Sequence, residues 1–371
     1  MSLTDKFSSA SELTNLTSIF HTGPAVDSNN SCEVSEPSRL LFIRFCFIGV
    51  FGLSMCVLGM VMNLALLVIL SKPCLRNTYL IYLAALAVLD IAVAITYIMV
   101  MSISVLYEYL ESMILYHIWH TCVPYFFTLS RIVTLASTYM VVVCTMERFL
   151  EVVHLTKNME QAYGVKQTTR YLVIASVIIL SAAFRLVVFW ELKLERNDLC
   201  HGTFSYYILT QSGLMQDFYY SKIYSFWILH MVQIFFPFGA LTLLNGLIVK
   251  NWRFALRKAS AYTEDEITKR VCSAQSARKM MAAIVTSYLV CNLLNLVVTF
   301  MEHIDPKFLH KHDIFYSFSS DVVTMLTAVN ASCRLPIYYA SNFKIRTEIH
   351  RLLGRSTKLV RTVYRKVPRG T

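Results

Sequence analysis

The chain has 371 residues, 56% hydrophobic and only 15% charged, with a mean hydropathy of +0.52. Soluble domains carry about 25% charged residues, so the composition excludes an ordinary soluble globule and assigns most of the chain to lipid. The net charge of +11 does not point to nucleic acid, which needs a soluble basic face.

Residues 1–40 are polar and lack an apolar core followed by a small-residue cleavage site, so no cleavable signal peptide is expected and the first span directs insertion. The triplets Asn15-Leu16-Thr17 and Asn29-Asn30-Ser31 make Asn15 and Asn29 candidate glycosylation acceptors. Seven apolar stretches follow, roughly 41–70, 79–105, 119–149, 171–191, 223–250, 280–302 and 315–340. Each reaches the length, about 20 residues, that crosses a hydrocarbon core of about 30 Å. The expected fold is therefore an all-α membrane bundle. It divides into an N-terminal segment 1–40, a seven-helix domain 41–340, and a cytoplasmic segment 341–371.

Orientation follows from the basic residues, which crowd cytoplasmic loops. With the N-terminus outside, the inner segments hold 22 Lys and Arg and the outer segments seven. Anionic lipid of the inner leaflet and a cytoplasmic partner are the expected counterions. Of ten cysteines, most lie within the spans, where a lone thiol behaves as a small hydrophobe. Cys122, opening the third span, and Cys200, in the outer loop 191–222, both face an oxidising compartment. They are expected to pair and tie that loop to the bundle. Paired Cys-x-x-Cys spacing is absent, and neither cofactor nor metal is expected.

At the inner end of the third span stands Val141-Val142-Val143-Cys144-Thr145-Met146-Glu147-Arg148-Phe149. A carboxylate beside a guanidinium at this depth resembles the Asp/Glu-Arg-Tyr motif of rhodopsin-like G-protein-coupled receptors. The bland alternative is a basic residue anchoring topology. The resemblance implies a resting contact between Glu147 and Arg148 whose release frees Arg148 for a heterotrimeric G protein inserted between the inner helix ends. Tyr338 and Pro237 fall at family-like positions, and Asn245 stands where the family usually has Tyr.

Ionisable groups within spans are costly and mark function by default. Asn63 and Asp90 match polar positions of the same family, and Ser137 and Asn330 match positions that complete a small sodium pocket around that Asp in many members. A hydrogen-bonded cluster without an ion is the other reading. The seventh span ends Arg334-Leu335-Pro336-Ile337-Tyr338, with arginine where the family shows Asn. Arg334 either pairs with Asp90 in place of sodium or snorkels to the inner surface. The sixth span reads Tyr288-Leu289-Val290-Cys291-Asn292, without the family's usual Trp and Pro. Together with Glu302 and Asn330-Ala331-Ser332, this run looks like invertebrate FMRFamide-type neuropeptide receptors and their nematode relatives.

Chemistry removes two branches. An amine receptor needs a carboxylate in the outer half of the third span, and Ser112 to Met146 contains none; an opsin needs a lysine in the seventh, and 315–340 contains none. Fourteen carboxylates against seven Lys and Arg on the outer side would steer a cationic, Arg-containing, amidated peptide. Arg131, Glu302 and Asp321 are the candidate ligand contacts, with Trp119, Tyr125, Phe126 and Trp227 as aromatic walls. Interfacial aromatics also serve as belt residues. Arg185 is placed to pair with Glu191 or Glu195.

Residues 341–354 read as an amphipathic helix along the inner membrane surface. The tail offers Ser356, Thr357 and Thr362 for phosphorylation, and arrestin is a further expected partner beside the G protein. The loop holding Glu264-Asp265-Glu266 and Lys269-Arg270 is expected to extend the fifth and sixth helices. Two rival classes stay open: a chemosensory receptor for environmental ligands, and a transporter, which would show internal repeats and interrupted helices. Catalytic sets such as His-Glu-x-x-His are absent, so an enzyme is not expected.

Overall fold

A computed structural model describes residues 38–71, 80–157, 165–200, 202–259, 265–304, 313–341 and 343–352. The chain crosses as α1 (Leu41–Leu70), α2 (Leu80–Tyr109), α3 (Met113–Lys157), α4 (Gln167–Trp190), α5 (Tyr219–Phe254) and α6 (Asp265–Ile304). Next come α7 (Asp313–Ser332), α8 (Arg334–Ser341) and α9 (Phe343–Leu352). Helices suit this composition because lipid offers backbone N–H and C=O groups no partner, and a helix satisfies them within one segment.

Six helices, α1 to α6, are long and apolar enough to cross a membrane by length and composition. The seventh crossing is α7 with α8, whose hydropathy is diluted by Ser317, Ser319, Ser320, Asp321, Thr324, Thr327, Asn330 and Ser332. The break between the two has a cause in Pro336. Proline has no N–H to give, and its ring crowds the carbonyl four residues earlier, at Ser332. Widened π-helical turns occur at Ile98–Ser102 in α2 and at Tyr219–Ile228 and Met231–Phe235 in α5, the last just ahead of Pro237.

The long α3 is the centre of the bundle and packs on α2, α4 and α5. One apolar cluster fills the inner half, with Leu83, Leu86, Met140, Leu241, Met280 and Tyr338 at its centre. A second fills the outer half around Ile48, Val105, Trp119 and Phe127. Helices α1 and α7 approach closely at Gly59, where an added Cβ would run into the Ser332 side chain. Ser332 Oγ in turn donates to Met55 O at 3.0 Å, so the contact is both tight and hydrogen-bonded.

Outside the bundle, β1 (Leu192–Arg196) and β2 (Tyr207–Gln211) form an antiparallel hairpin in register from Leu192 opposite Gln211 to Arg196 opposite Tyr207. On the inner side α6 begins at Asp265, so the loop charges Lys269 and Arg270 fall on a helical extension. In α9, Ile345 is fully buried against the inner cluster while the Arg351 side chain is exposed. This is the two-faced arrangement expected of a helix lying along a surface.

Candidate functional site

Polar side chains gather at three depths inside an otherwise apolar bundle. Midway, Arg334 Nε lies 2.7 Å from Asp90 Oδ2, with both side chains almost wholly buried. Ser137 Oγ accepts from Arg334 Nη2 at 3.2 Å and donates to Asp90 Oδ1 at 3.4 Å, so α2, α3 and α8 meet on one charge-paired knot. Asn63 Nδ2 donates to Gly59 O at 2.9 Å and to Ala331 O at 3.2 Å, stitching α1 to α7. Asn330 Oδ1 accepts from Ser287 Oγ at 3.2 Å and so turns toward α6. Tyr338 is fully buried and faces Arg334 and Asp90. Since one guanidinium already meets the Asp90 carboxylate and Ser137, these residues do not fit a sodium ion.

At the inner end, Glu147 and Arg148 are buried. They are not the isolated pair that the sequence suggested. Arg148 Nη2 lies 3.6 Å from Glu147 Oε1, while Arg170 of α4 approaches the same oxygen at 2.7 Å through Nη2 and 3.1 Å through Nε. Arg148 pairs more closely with Glu151, one turn further along α3. The result is a four-residue network, with Tyr82 of α2 against the Glu147 carboxylate. Arg148, Glu151 and Asn245 line a crevice of about 10 Å³ with Arg278 and Met281, room for one water at most. Arg278 itself lies over the Trp252 ring at 5.3 Å.

The outer end departs furthest from expectation. Asp321, a candidate ligand contact, is 1% exposed and paired with Arg44 of α1 at 3.2 Å. A carboxylate at that depth takes the nearest cation. Trp119 is core, 4% exposed, with Nε1 donating to Val100 O at 3.0 Å and its ring packed on Tyr107 and His120. Phe126 packs beside it in the outer cluster. Tyr125 and Trp227 face away from the bundle, 64% and 50% exposed, Tyr125 against Phe189 and Trp227 against Phe226. None of these aromatics forms a shared wall. Arg131 lies over the Phe127 ring, 4.8 Å from its centroid. The Glu302 side chain lies outside the described residues, as do Asn15, Asn29 and the tail hydroxyls.

The expected bridge between Cys122 and Cys200 is not formed. Cys122 is a free thiol, and Cys200 is disulfide-bonded to a partner outside the described residues. The hairpin docks on α3 by other means. Tyr207 N donates to Tyr116 Oη at 2.7 Å, and the His120 ring stacks on Tyr207 with centroids 5.4 Å apart. Cys122 lies just beyond this aromatic seat, so facing the same compartment as Cys200 was not sufficient for pairing.

A charge knot at mid-depth, a buried arginine network at the inner end of the third helix and a hairpin over the outer mouth form one arrangement within a helical bundle. The family model described as 7 transmembrane receptor (rhodopsin family) matches residues 61–339. The chain belongs to that family. The receptor is 26% identical over 307 residues to a Drosophila melanogaster protein named FMRFamide receptor. That match covers 81% of this chain and 53% of the relative, so the receptor spans about half the length of that protein. The fold is similar to that of squid rhodopsin, with a TM-score of 0.66 at 13% identity over 90% of this chain and 91% of the other.

Three members of the receptor's buried ion pairs carried no reading in the sequence: Arg44, Glu151 and Arg170. Arg44 carried a usable signal, because a lone arginine inside the first span requires a carboxylate somewhere in the bundle. Arg170 sat among the loop cations and could be separated from them only by knowing that the start of α4 abuts the end of α3.

Proposed function

We propose that the chain is a plasma-membrane receptor, N-terminus outside, for an extracellular amidated peptide of the FMRFamide type, and that it activates a heterotrimeric G protein. The observation that carries this reading is the likeness over 307 residues to the protein named FMRFamide receptor. The carboxylate excess of the outer segments supports it, since a negative rim draws an Arg-containing peptide toward the mouth. At the other face, a crevice lined by Arg148, Glu151 and Asn245 supports a role in transduction. Peptide binding outside stabilises an arrangement in which the four-residue network opens and Arg148 meets the G protein. Such a shift needs only a difference in ligand affinity between two states. Arrestin recognises the phosphorylated tail in this scheme, and residues 1–40, 41–340 and 341–371 serve as outer segment, bundle and cytoplasmic segment.

The test is a panel of amidated peptides applied to cells expressing the full chain with a promiscuous G protein. A response to Arg-Phe-amide peptides is expected, together with its loss in Arg148→Leu at unchanged surface expression. Silence toward every peptide of that class would remove the ligand assignment.

A further inference from the structure

Apart from Lys250 at the inner end of the fifth, the apolar stretches of the sequence contain five Lys and Arg residues, all arginines: Arg44, Arg131, Arg148, Arg185 and Arg334. Three of them are in ion pairs, Arg44 with Asp321, Arg148 with Glu147 and Glu151, and Arg334 with Asp90. The remaining two have no ion pair among the described residues, and they lie in the outer halves of α3 and α4, close enough for their charges to act on each other. Arg185 is 5% exposed, and its Nε has no hydrogen-bond acceptor among the described residues. Arg131 has the Phe127 ring beneath it and the phenol of Tyr316 nearby.

Among the described residues a single carboxylate, Glu191, acts on both guanidiniums. It is itself 5% exposed and accepts from Tyr220 Oη at 2.6 Å. The other carboxylate that the sequence offered Arg185, Glu195, pairs with Lys193 at 2.9 Å on the hairpin. Among the described residues two cations face one anion, leaving a surplus positive charge at a largely desolvated position, which folding alone does not favour. Tyr220 and Tyr224, which flank Arg185, also border an open recess of about 510 Å³ with Val187, Asp217 and Tyr219. Tyr220, which donates to Glu191, thus stands between the cluster and that recess.

We propose that Arg131 and Arg185, with Glu191 and Tyr220 holding their positions, form a subsite for a carboxylate of the extracellular ligand. Resting on the peptide-receptor reading, this names the chemistry that one end of the outer site accepts: an acidic side chain of the amidated peptide. The bidentate geometry of a guanidinium matches a carboxylate. The cationic part of the peptide is then drawn by the acidic rim while its carboxylate seats between α3 and α4. A site kept charged for a ligand costs stability while empty.

Two melting measurements on purified, ligand-free, full-length receptor decide the proposal. Arg185→Gln raises the unfolding midpoint, whereas a structural partner of Glu191 would lower it. Millimolar N-acetyl-aspartate amide stabilises the unmodified receptor more than N-acetyl-asparagine amide does, and the difference disappears in Arg185→Gln and Arg131→Gln. An unchanged or lowered midpoint in Arg185→Gln, or equal effects of the two probes on the unmodified receptor, overturns the subsite. In signalling, an Arg-Phe-amide peptide carrying Asp is expected to be about tenfold more potent than its Asn analogue. If no Arg-Phe-amide peptide signals at all, the peptide assignment fails while the melting measurements still judge the subsite.

Discussion

Arg334 Nε stands 2.7 Å from Asp90 Oδ2 in the middle of the bundle, and Ser137 Oγ bridges the two side chains. An isolated carboxylate or guanidinium at this depth carries a penalty of several kcal/mol, which mutual attraction and the Ser137 hydrogen bonds offset. Because the guanidinium fills the position a small cation would take, receptor signalling is expected to be independent of sodium. Agonist potency should be the same in sodium chloride and in choline chloride. A steep fall in potency on adding sodium would contradict the pairing.

The same pair makes a stability prediction. Arg334→Gln leaves Asp90 buried without its cation and is expected to destabilise the receptor by about 3–5 kcal/mol. Asp90→Asn alone strands the arginine at similar cost. The double variant removes both charges, so the cycle should show strong coupling, with the double variant more stable than either single one. Thermal unfolding of the solubilised receptor measures this directly, and additive losses would mean that the two side chains do not interact.

At the inner end, Arg170 holds the Glu147 oxygen at 2.7 Å while Arg148 stands off at 3.6 Å. Removing the α4 cation gives the whole Glu147 carboxylate to Arg148 and tightens its resting contact. Arg170→Gln should therefore lower agonist potency, whereas Glu151→Gln loosens Arg148 and should raise signalling without agonist. An ion pair worth about 1 kcal/mol translates into about a fivefold shift in each direction. Basal and agonist-stimulated G-protein activation at matched surface expression separates the two variants; a change of the same sign in both would rule out competition for Arg148.

The contrast between these sites explains what residue order could and could not tell. Seven spans were readable because lipid demands internally bonded backbone, and the demand writes long apolar runs into the chain. Depth was readable as well, so Asp90 and Arg334 could be set at one level, as could Glu147 and Arg148. Which helices are neighbours was not. Glu147 therefore appeared to have only its chain neighbour, although Arg170 reaches it from α4. Asp321 looked like a ligand contact because Arg44, 277 residues away, was not recognised as its partner. The aromatics failed for a related reason: a residue's rotation about its helix axis decides between core, lipid and cavity. Trp119 and Tyr125, six residues apart on α3, turn to opposite environments.

Cysteine pairing carries a separate prediction. Cys122→Ala should leave the Cys200 disulfide intact, because Cys122 is a free thiol and the hairpin rests on Tyr116 and His120. Peptide mapping without reduction is expected to find Cys200 cross-linked to a fragment that does not contain Cys122. Recovery of a fragment joining Cys122 to Cys200 would contradict this arrangement and restore the simpler bridge between α3 and the loop.

The outer pair of Arg44 and Asp321 distinguishes a structural carboxylate from a ligand contact. Both side chains are buried at 3.2 Å, joining α1 to α7, and Tyr97 of α2 faces the same carboxylate. Asp321→Asn is therefore expected to lower surface expression and thermal stability, with a cost approaching the 3–5 kcal/mol typical of a broken buried pair, rather than to weaken potency alone. Arg44→Gln should have the same effect, and the reciprocal exchange Arg44→Asp with Asp321→Arg should recover part of the loss because it restores opposite charges at one depth. If Asp321→Asn instead reached the surface in normal amounts and lost only agonist potency, the carboxylate would belong to the ligand site after all, and Arg44 would have to be satisfied elsewhere.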